Sequence, residues 1–201
     1  MRQARASAFP ALRPSLLVAL MLLAGCSAPA QPDILYVPTP EPVVDAMLEM
    51  AGVEEGDVLI DLGSGDGRIP IAAARDYGIR AIGIEIDSRL VQRARANAVE
   101  AGVEHLVEFR EGDMFEADLG EASVVSMYLM DTLNVRLRPK LLAELETGSR
   151  IVSHAYGMGE WEPDAVRTVQ TRRIYLWIVP ESYIPGFGPQ LPAEAEPSTR
   201  S

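Results

Sequence analysis

One stretch constrains this chain more than any other: Val58 to Gly67, reading Val-Leu-Ile-Asp-Leu-Gly-Ser-Gly-Asp-Gly. Val58 to Leu62 is a short apolar run led by β-branched residues, which reads as an interior strand of a parallel sheet. Gly63, Gly65 and Gly67 then permit a tight turn and close backbone approach to a ligand. Arg68 to Tyr77 follows as a helix, with Ile69, Ala72, Ala73 and Tyr77 at helical spacing. A buried strand, a glycine turn and a helix N-terminus in succession make a cradle for a nucleotide-type cofactor.

Glycine spacing alone is a weak signal. The next apolar run, Arg80 to Ile86, strengthens it because it carries Glu85 about twenty residues past the turn. An acid at that strand end is placed to accept hydrogen bonds from ribose hydroxyls. The competing reading makes the glycines an ordinary loop and Glu85 a cap for the helix beginning near Ser88. Between dinucleotides and S-adenosylmethionine, the charges favour the latter. Asp61 and Asp66 would repel a pyrophosphate, and would not repel a ligand carrying an ammonium and a sulfonium.

These residues resemble the class I S-adenosylmethionine-dependent methyltransferases, over roughly residues 36 to 180. Asp61 to Gly67 matches the first motif of that family, and Glu85 matches its ribose-binding acid. The resemblance implies a seven-stranded sheet, with Asp113 accepting from the adenine amino group and Met114 packed on the ring. It also places an active-site segment at Val124 to Asp131, and puts Tyr36 and Thr39 over the methionine end of the cofactor. Tyr36-Val-Pro-Thr-Pro40, Asp61 to Ile69 and Trp161 to Asp164 are similar to a branch of protein-lysine methyltransferases that act on the c-subunit of ATP synthase. The Asn-Pro-Pro-Tyr signature of many amino-methylating enzymes is absent, and Tyr128-Leu-Met-Asp131 stands in its place.

Tyr128 and Asp131 are the catalytic candidates. Methyl transfer is an in-line displacement, so both would orient the acceptor, and Asp131 could take its proton. The other readings are a hydrogen-bonded core tyrosine and an N-cap for the helix starting near Thr132. His154 is read as a structural histidine near the rim or a second base, His105 as a solvated residue opening an edge strand, and Trp161 as loop packing. No cluster has metal-ligand spacing, so no metal is expected.

Elsewhere the pattern predicts helices over 42–51 and 88–101, the latter capped by Ser88 and ending at Gly102. Leu133, Leu137, Leu141 and Leu145 predict a further helix, kinked or broken at Pro139. Strands are expected at 105–110, 150–154, 166–170 and 173–179, with a fourth strand opening the stretch 124–131 and Tyr128 and Asp131 lying just past it. Alternation of strands and helices gives an α/β class: a doubly wound, Rossmann-like, mostly parallel sheet with helices on both faces. Ligands in such sheets bind beyond the carboxyl ends of the strands, where Asp61, Glu85, Asp113, Tyr128 and His154 all fall.

The first residues stand apart from that domain. Arg2, Arg5 and Arg13 precede an apolar run, 15–24, that ends in Leu23-Ala-Gly-Cys26. This resembles a bacterial lipoprotein signal, with lipid attached at Cys26, the only cysteine in the 201 residues. The expected organisation is a signal at 1–25, a tether at 26–35, the methyltransferase domain at 36–184 and a disordered Pro-, Ala- and Glu-rich tail at 185–201. Initiation at Met21 would instead leave a cytoplasmic protein. Cleavage removes three arginines and no acids, taking the formal charge from −11 to −14. Such a surface argues against nucleic acid and for a cationic acceptor, protein or small molecule. Export conflicts with the cytoplasmic supply of S-adenosylmethionine, so a lipid-anchored module that binds an adenosine metabolite without turnover is the other class of reading. A dinucleotide-dependent oxidoreductase is the third.

Overall fold

The computed structural model describes residues 36–181, with the backbone of 183–184 and 188–189. Four helices and seven strands of one sheet account for most of them: α1 (Glu41–Met50), β1 (Val58–Leu62), α2 (Arg68–Tyr77), β2 (Arg80–Glu85), α3 (Ser88–Glu100), β3 (Val107–Glu111), β4 (Val124–Met127), α4 (Asp131–Glu144), β5 (Arg150–His154), β6 (Ala165–Val169) and β7 (Arg172–Ile178). The sheet order is β3-β2-β1-β4-β5-β7-β6. β1 to β5 are parallel neighbours, while β7 runs antiparallel to β5 and β6 antiparallel to β7. This is the expected doubly wound α/β sheet, closed by an antiparallel hairpin.

The central strands are apolar throughout because both of their faces are covered. Successive side chains point to opposite faces. Ile60, Val125 and Ile151 pack with Leu137, Leu141 and Trp177 on the α4 side. Their neighbours Leu59, Val124 and Val152 pack with Val43, Met47 and Ala73 of α1 and α2 on the other. The parallel order brings the carboxyl ends of β1, β2, β4 and β5 to one rim, with the chain crossing sides between β1 and β4. That reversal opens the crevice where ligands of this architecture bind.

Several boundaries differ from the sequence expectation. Asp87, not Ser88, caps α3: its carboxylate accepts from the Arg89 amide, and Ser88 is already helical. α4 runs through Pro139 as one helix from Asp131 to Glu144. The ring of Pro139 lies on the exposed side, and burial of Leu137, Leu141 and Leu142 against the sheet offsets the lost amide hydrogen bond. His105 is exposed but precedes β3 rather than opening it, and Ile86 falls outside β2. Trp161 is buried in a loop against Trp177, whose indole N–H donates to the Trp161 carbonyl at 2.8 Å. Past Pro185, within the stretch read as a disordered tail, Gly188–Pro189 pairs with Tyr183–Ile184. The leader, Cys26 and the tether lie outside the described residues.

Candidate active site

Asp61 sits in the carboxyl-terminal half of β1, 3% exposed, opposite Ser126 of β4 and Gly83 of β2. Its Oδ1 accepts a 2.7 Å hydrogen bond from Ser126 Oγ. Burial, followed by the charges of Glu85 and Asp66, pushes the Asp61 carboxyl up to about 7 against the lowering effect of Ser126. A buried carboxylate next to two more acids is a place where a cation binds favourably.

The glycine turn leads from β1 to α2. At Gly65 the backbone is left-handed (φ 55°), and a Cβ would fall 2.3 Å from the Tyr36 ring. At Gly67 (φ 81°) it would fall 2.4 Å from the Phe109 ring. These two positions require glycine both for conformation and for space. Gly63 also has a positive φ and packs beneath Leu129. Glu85, at the end of β2, ties the turn in place: Oε2 accepts from the Gly65 amide and Oε1 from the Asp87 amide, each at 2.9 Å. The acid therefore orders the turn and the next helix start together: the contact at the helix start is what the competing reading expected of Glu85, and the hold on the Gly65 amide is what neither reading anticipated.

Asp66 does not stand as a free charge. Arg68 grips it in a fork, Nε on Oδ1 at 3.0 Å and Nη2 on Oδ2 at 2.7 Å. Burial alone would raise the Asp66 pKa, but the hydrogen bonds and charge of Arg68 hold it below the usual value. With Asp66 paired and Asp61 titrating near 7, the double-carboxylate repulsion inferred from sequence is much weaker than supposed. Arg68 also donates to the Thr39 carbonyl at 2.8 Å. It thereby holds the extended segment 36–40 across the turn, with Tyr36 lying on Gly65. Burial, and then the charge of Asp66, raise the Tyr36 pKa.

Asp113 is exposed after β3, and its Oδ1 accepts from the Phe115 amide. Met114 is half-buried and packs on the α4-side core. Across the crevice, Tyr128 is half-buried, its ring 3.9 Å from that of His154 and 6.1 Å from that of Tyr156. His154 is fully buried and shares a 3.2 Å hydrogen bond, through Nδ1, with the Thr39 hydroxyl. Burial, and secondarily Arg172, push its pKa down to about 4, so the ring is neutral at physiological pH. Asp131 is the first residue of α4, not its N-cap, which is Met130. Its Oδ1 accepts from the Gly157 amide at 2.8 Å, and the residue is otherwise exposed. Asp61, Glu85, Tyr36, Thr39, Tyr128 and His154 thus come together at the rim, with Asp113 and Asp131 at its two sides. Ser126, Arg68, Asn134 and Tyr156 were not singled out from the sequence. Ser126 and Asn134 had a signal, being polar residues within otherwise apolar buried patterns.

S-adenosylmethionine fits these residues. The glycine cradle offers the space, the buried Asp61 carboxyl offers an anion for a cationic ligand, and the buried Ser64 Oγ beside the turn has no hydrogen-bond partner among the described residues. Among the described residues no group of three or more His, Cys, Asp or Glu side chains is placed to hold a metal ion. Fold and rim together define a class I S-adenosylmethionine-dependent methyltransferase.

Comparison with known proteins agrees. The ANTKMT methyltransferase domain matches residues 61–165. A protein-lysine N-methyltransferase of Saccharolobus islandicus is 42% identical over 155 residues, covering 75% of this chain and 96% of that one. The mouse adenine nucleotide translocase lysine N-methyltransferase is 34% identical over 163 residues, covering 80% and 70%. Among solved structures, an RNA methyltransferase from Salinibacter ruber in complex with S-adenosyl-L-homocysteine is 56% identical with a TM-score of 0.73, covering 74% of this chain and 97% of that one. The chain belongs to the ANTKMT methyltransferase family and uses S-adenosylmethionine.

Proposed function

We propose that this enzyme methylates the side-chain nitrogen of lysine in a protein acceptor. The observation that carries this reading is the composition of the acceptor side of the rim. Tyr128 and Tyr156 supply aromatic faces and Asp131 an exposed carboxylate, on a chain of net charge −11. Such a surface attracts an amine and repels a polyanion. The lysine N-methyltransferase names of the Saccharolobus islandicus and mouse relatives support the same class of acceptor.

When bound, S-adenosylmethionine supplies an electrophilic methyl carbon, and displacement leaves a neutral thioether. Glu85 and the Gly63–Gly67 turn would hold the ribose, with Asp113 and Met114 at the adenine. Asp61 would face the ammonium group, and Tyr36 and Thr39 would close over the methionine end. Tyr128 orients the acceptor nitrogen in line with the methyl group, which lowers the entropic part of the barrier. Asp131 takes the proton that the amine must lose, directly or through water. The new bond is nitrogen to carbon, the broken one is sulfur to carbon, and the released electron pair stays on sulfur.

We infer further that the leader directs the protein to the cell envelope, with a lipid on Cys26 as its membrane anchor. Replacing Cys26 with serine would then move the protein from the membrane fraction to the soluble one. An unchanged distribution would contradict the anchor.

The acceptor is tested with S-adenosylmethionine labelled in its methyl group, offered with poly-L-lysine and, separately, with total RNA. Label in the lysine polymer alone supports the proposal. Label in RNA alone, as the Salinibacter relative is described, would replace it.

A further inference from the structure

The turn after β5 is held with unusual thoroughness. Asp131, Asn134 and Arg138 lie on one face of α4, spaced three and four residues apart, and all three reach the backbone of this turn. Asp131 accepts from the Gly157 amide. Asn134, fully buried, donates to the carbonyls of Tyr156 and Gly157 at 3.2 and 3.1 Å. Arg138 donates to the Met158 carbonyl at 3.2 Å. From the strand side, Ser153 Oγ donates to the same Tyr156 carbonyl at 2.7 Å. Ala155, within the turn, is left-handed at φ 67°. The other described non-glycine residue with positive φ, Gln170, sits in the β6–β7 hairpin turn, where that conformation is geometrically favoured. Ala155 has no hairpin to explain it, and such a conformation persists only where the surroundings over-determine it.

The result of this bracing is the placement of one ring. Tyr156 is half-exposed at the rim, stacked at 24° to Tyr128 with 6.1 Å between centroids. Tyr128 in turn lies on the buried His154, whose Nε2 has no hydrogen-bond partner among the described residues. The three rings form a row from the buried end of β5 to the exposed edge of the crevice.

We propose that Tyr156 is an acceptor-binding residue: with Tyr128 it forms an aromatic wall against which the lysine amine is held, and α4 fixes that wall through Asp131, Asn134 and Arg138. This rests on the lysine reading above. Aromatic faces attract ammonium and methylammonium groups alike, so the wall would hold substrate and partly methylated product without a preference for one count of methyl groups. Asp131 would do two things at once, fixing the turn with Oδ1 while its exposed carboxylate faces the incoming amine.

The test uses the full chain, S-adenosylmethionine and poly-L-lysine, with Tyr156→Ala, Tyr156→Phe and calorimetric cofactor binding as the structural control. The expected result is a KM for poly-L-lysine raised about tenfold in Tyr156→Ala. Cofactor affinity should remain within about twofold, and Tyr156→Phe should stay close to wild type because the ring face, not the hydroxyl, does the binding. An unchanged KM in Tyr156→Ala would overturn the proposal, as would a parallel loss of cofactor binding, which would make Tyr156 a packing residue. Failure of the wild-type enzyme to methylate poly-L-lysine would overturn the lysine reading itself, and this inference with it.

Discussion

Ser126 Oγ donates to Asp61 Oδ1 at 2.7 Å across the β1–β4 junction, and among the described residues it is the one hydrogen-bond donor to a carboxylate that is 3% exposed. A single hydroxyl compensates little of the desolvation, so the Asp61 carboxyl titrates near 7 rather than near 4. A site of this kind stores an unfavourable charge that a cationic ligand relieves.

Cofactor binding should therefore depend on pH in a definite direction. Below pH 7 the free enzyme carries a proton on Asp61 that the ammonium of the ligand must displace. Affinity for S-adenosylmethionine should fall as pH drops below 7, approaching about tenfold per pH unit. Binding at pH 6 should release a proton, visible as a dependence of calorimetric heat on the buffer. Affinity that is flat from pH 5.5 to 8 would remove Asp61 from the ammonium site.

Stability in acid should show two opposing contributions. His154 has its pKa lowered from 6.5 to about 4, so the unfolded chain binds more protons and stability is lost as pH falls through that window. Asp61 has its pKa raised from 3.8 to about 7, so its contribution is largest at low pH and is lost as pH rises through 7. In wild type the two offset each other between about pH 4 and 6.5. Asp61→Asn removes the compensation and should steepen the acid loss, by up to about 3 kcal/mol across the window. Denaturant unfolding at pH 7.5 and 4.5 compares the variant with wild type, and parallel curves would contradict these assignments.

Gly65→Ala should fail in two ways at once. The left-handed backbone disfavours alanine, and the new methyl would fall 2.3 Å from the Tyr36 ring. The strain costs about 1–3 kcal/mol. Tyr36 would also be pushed off the turn, lowering cofactor affinity. Thermal melting and calorimetry on the same sample read both effects, and retention of wild-type affinity would show that Tyr36 does not cover the cofactor.

Much of this arrangement was legible in the sequence, and the misses share a cause. The strand, glycine turn, helix and Glu85 were readable because each depends on local pattern: an unbroken apolar run, glycine spacing and a fixed distance to the next strand end. Tyr128 and His154 are legible at the rim because one follows β4 directly and the other ends β5. What escaped was pairing between side chains. Nothing in the spacing of Asp66 and Arg68 reveals the two-point ion pair, so the charge argument against dinucleotides rested on a carboxylate that is in fact neutralised. The assignment of S-adenosylmethionine stands on the fold and the family rather than on that argument. Local pattern offers Asp131 only as a cap or a base, yet its carboxylate spans to Gly157, a contact between residues 26 apart in sequence. Pro139 predicts a kink or a break in α4, but the helix continues through it because apolar burial on the opposite face outweighs a single lost hydrogen bond.

Asp61 and Glu85 lie at the carboxyl ends of β1 and β2, where S-adenosylmethionine would be held. Calorimetric titration of wild type, Asp61→Asn and Glu85→Ala at pH 7.5, with NAD as the control ligand, decides whether they hold it. Wild type should bind S-adenosylmethionine and not NAD, with affinity weakened about ten- to a hundredfold in Glu85→Ala by loss of charged hydrogen bonds and weakened also in Asp61→Asn. Wild-type affinity in both variants, or preferential binding of NAD, would contradict that role.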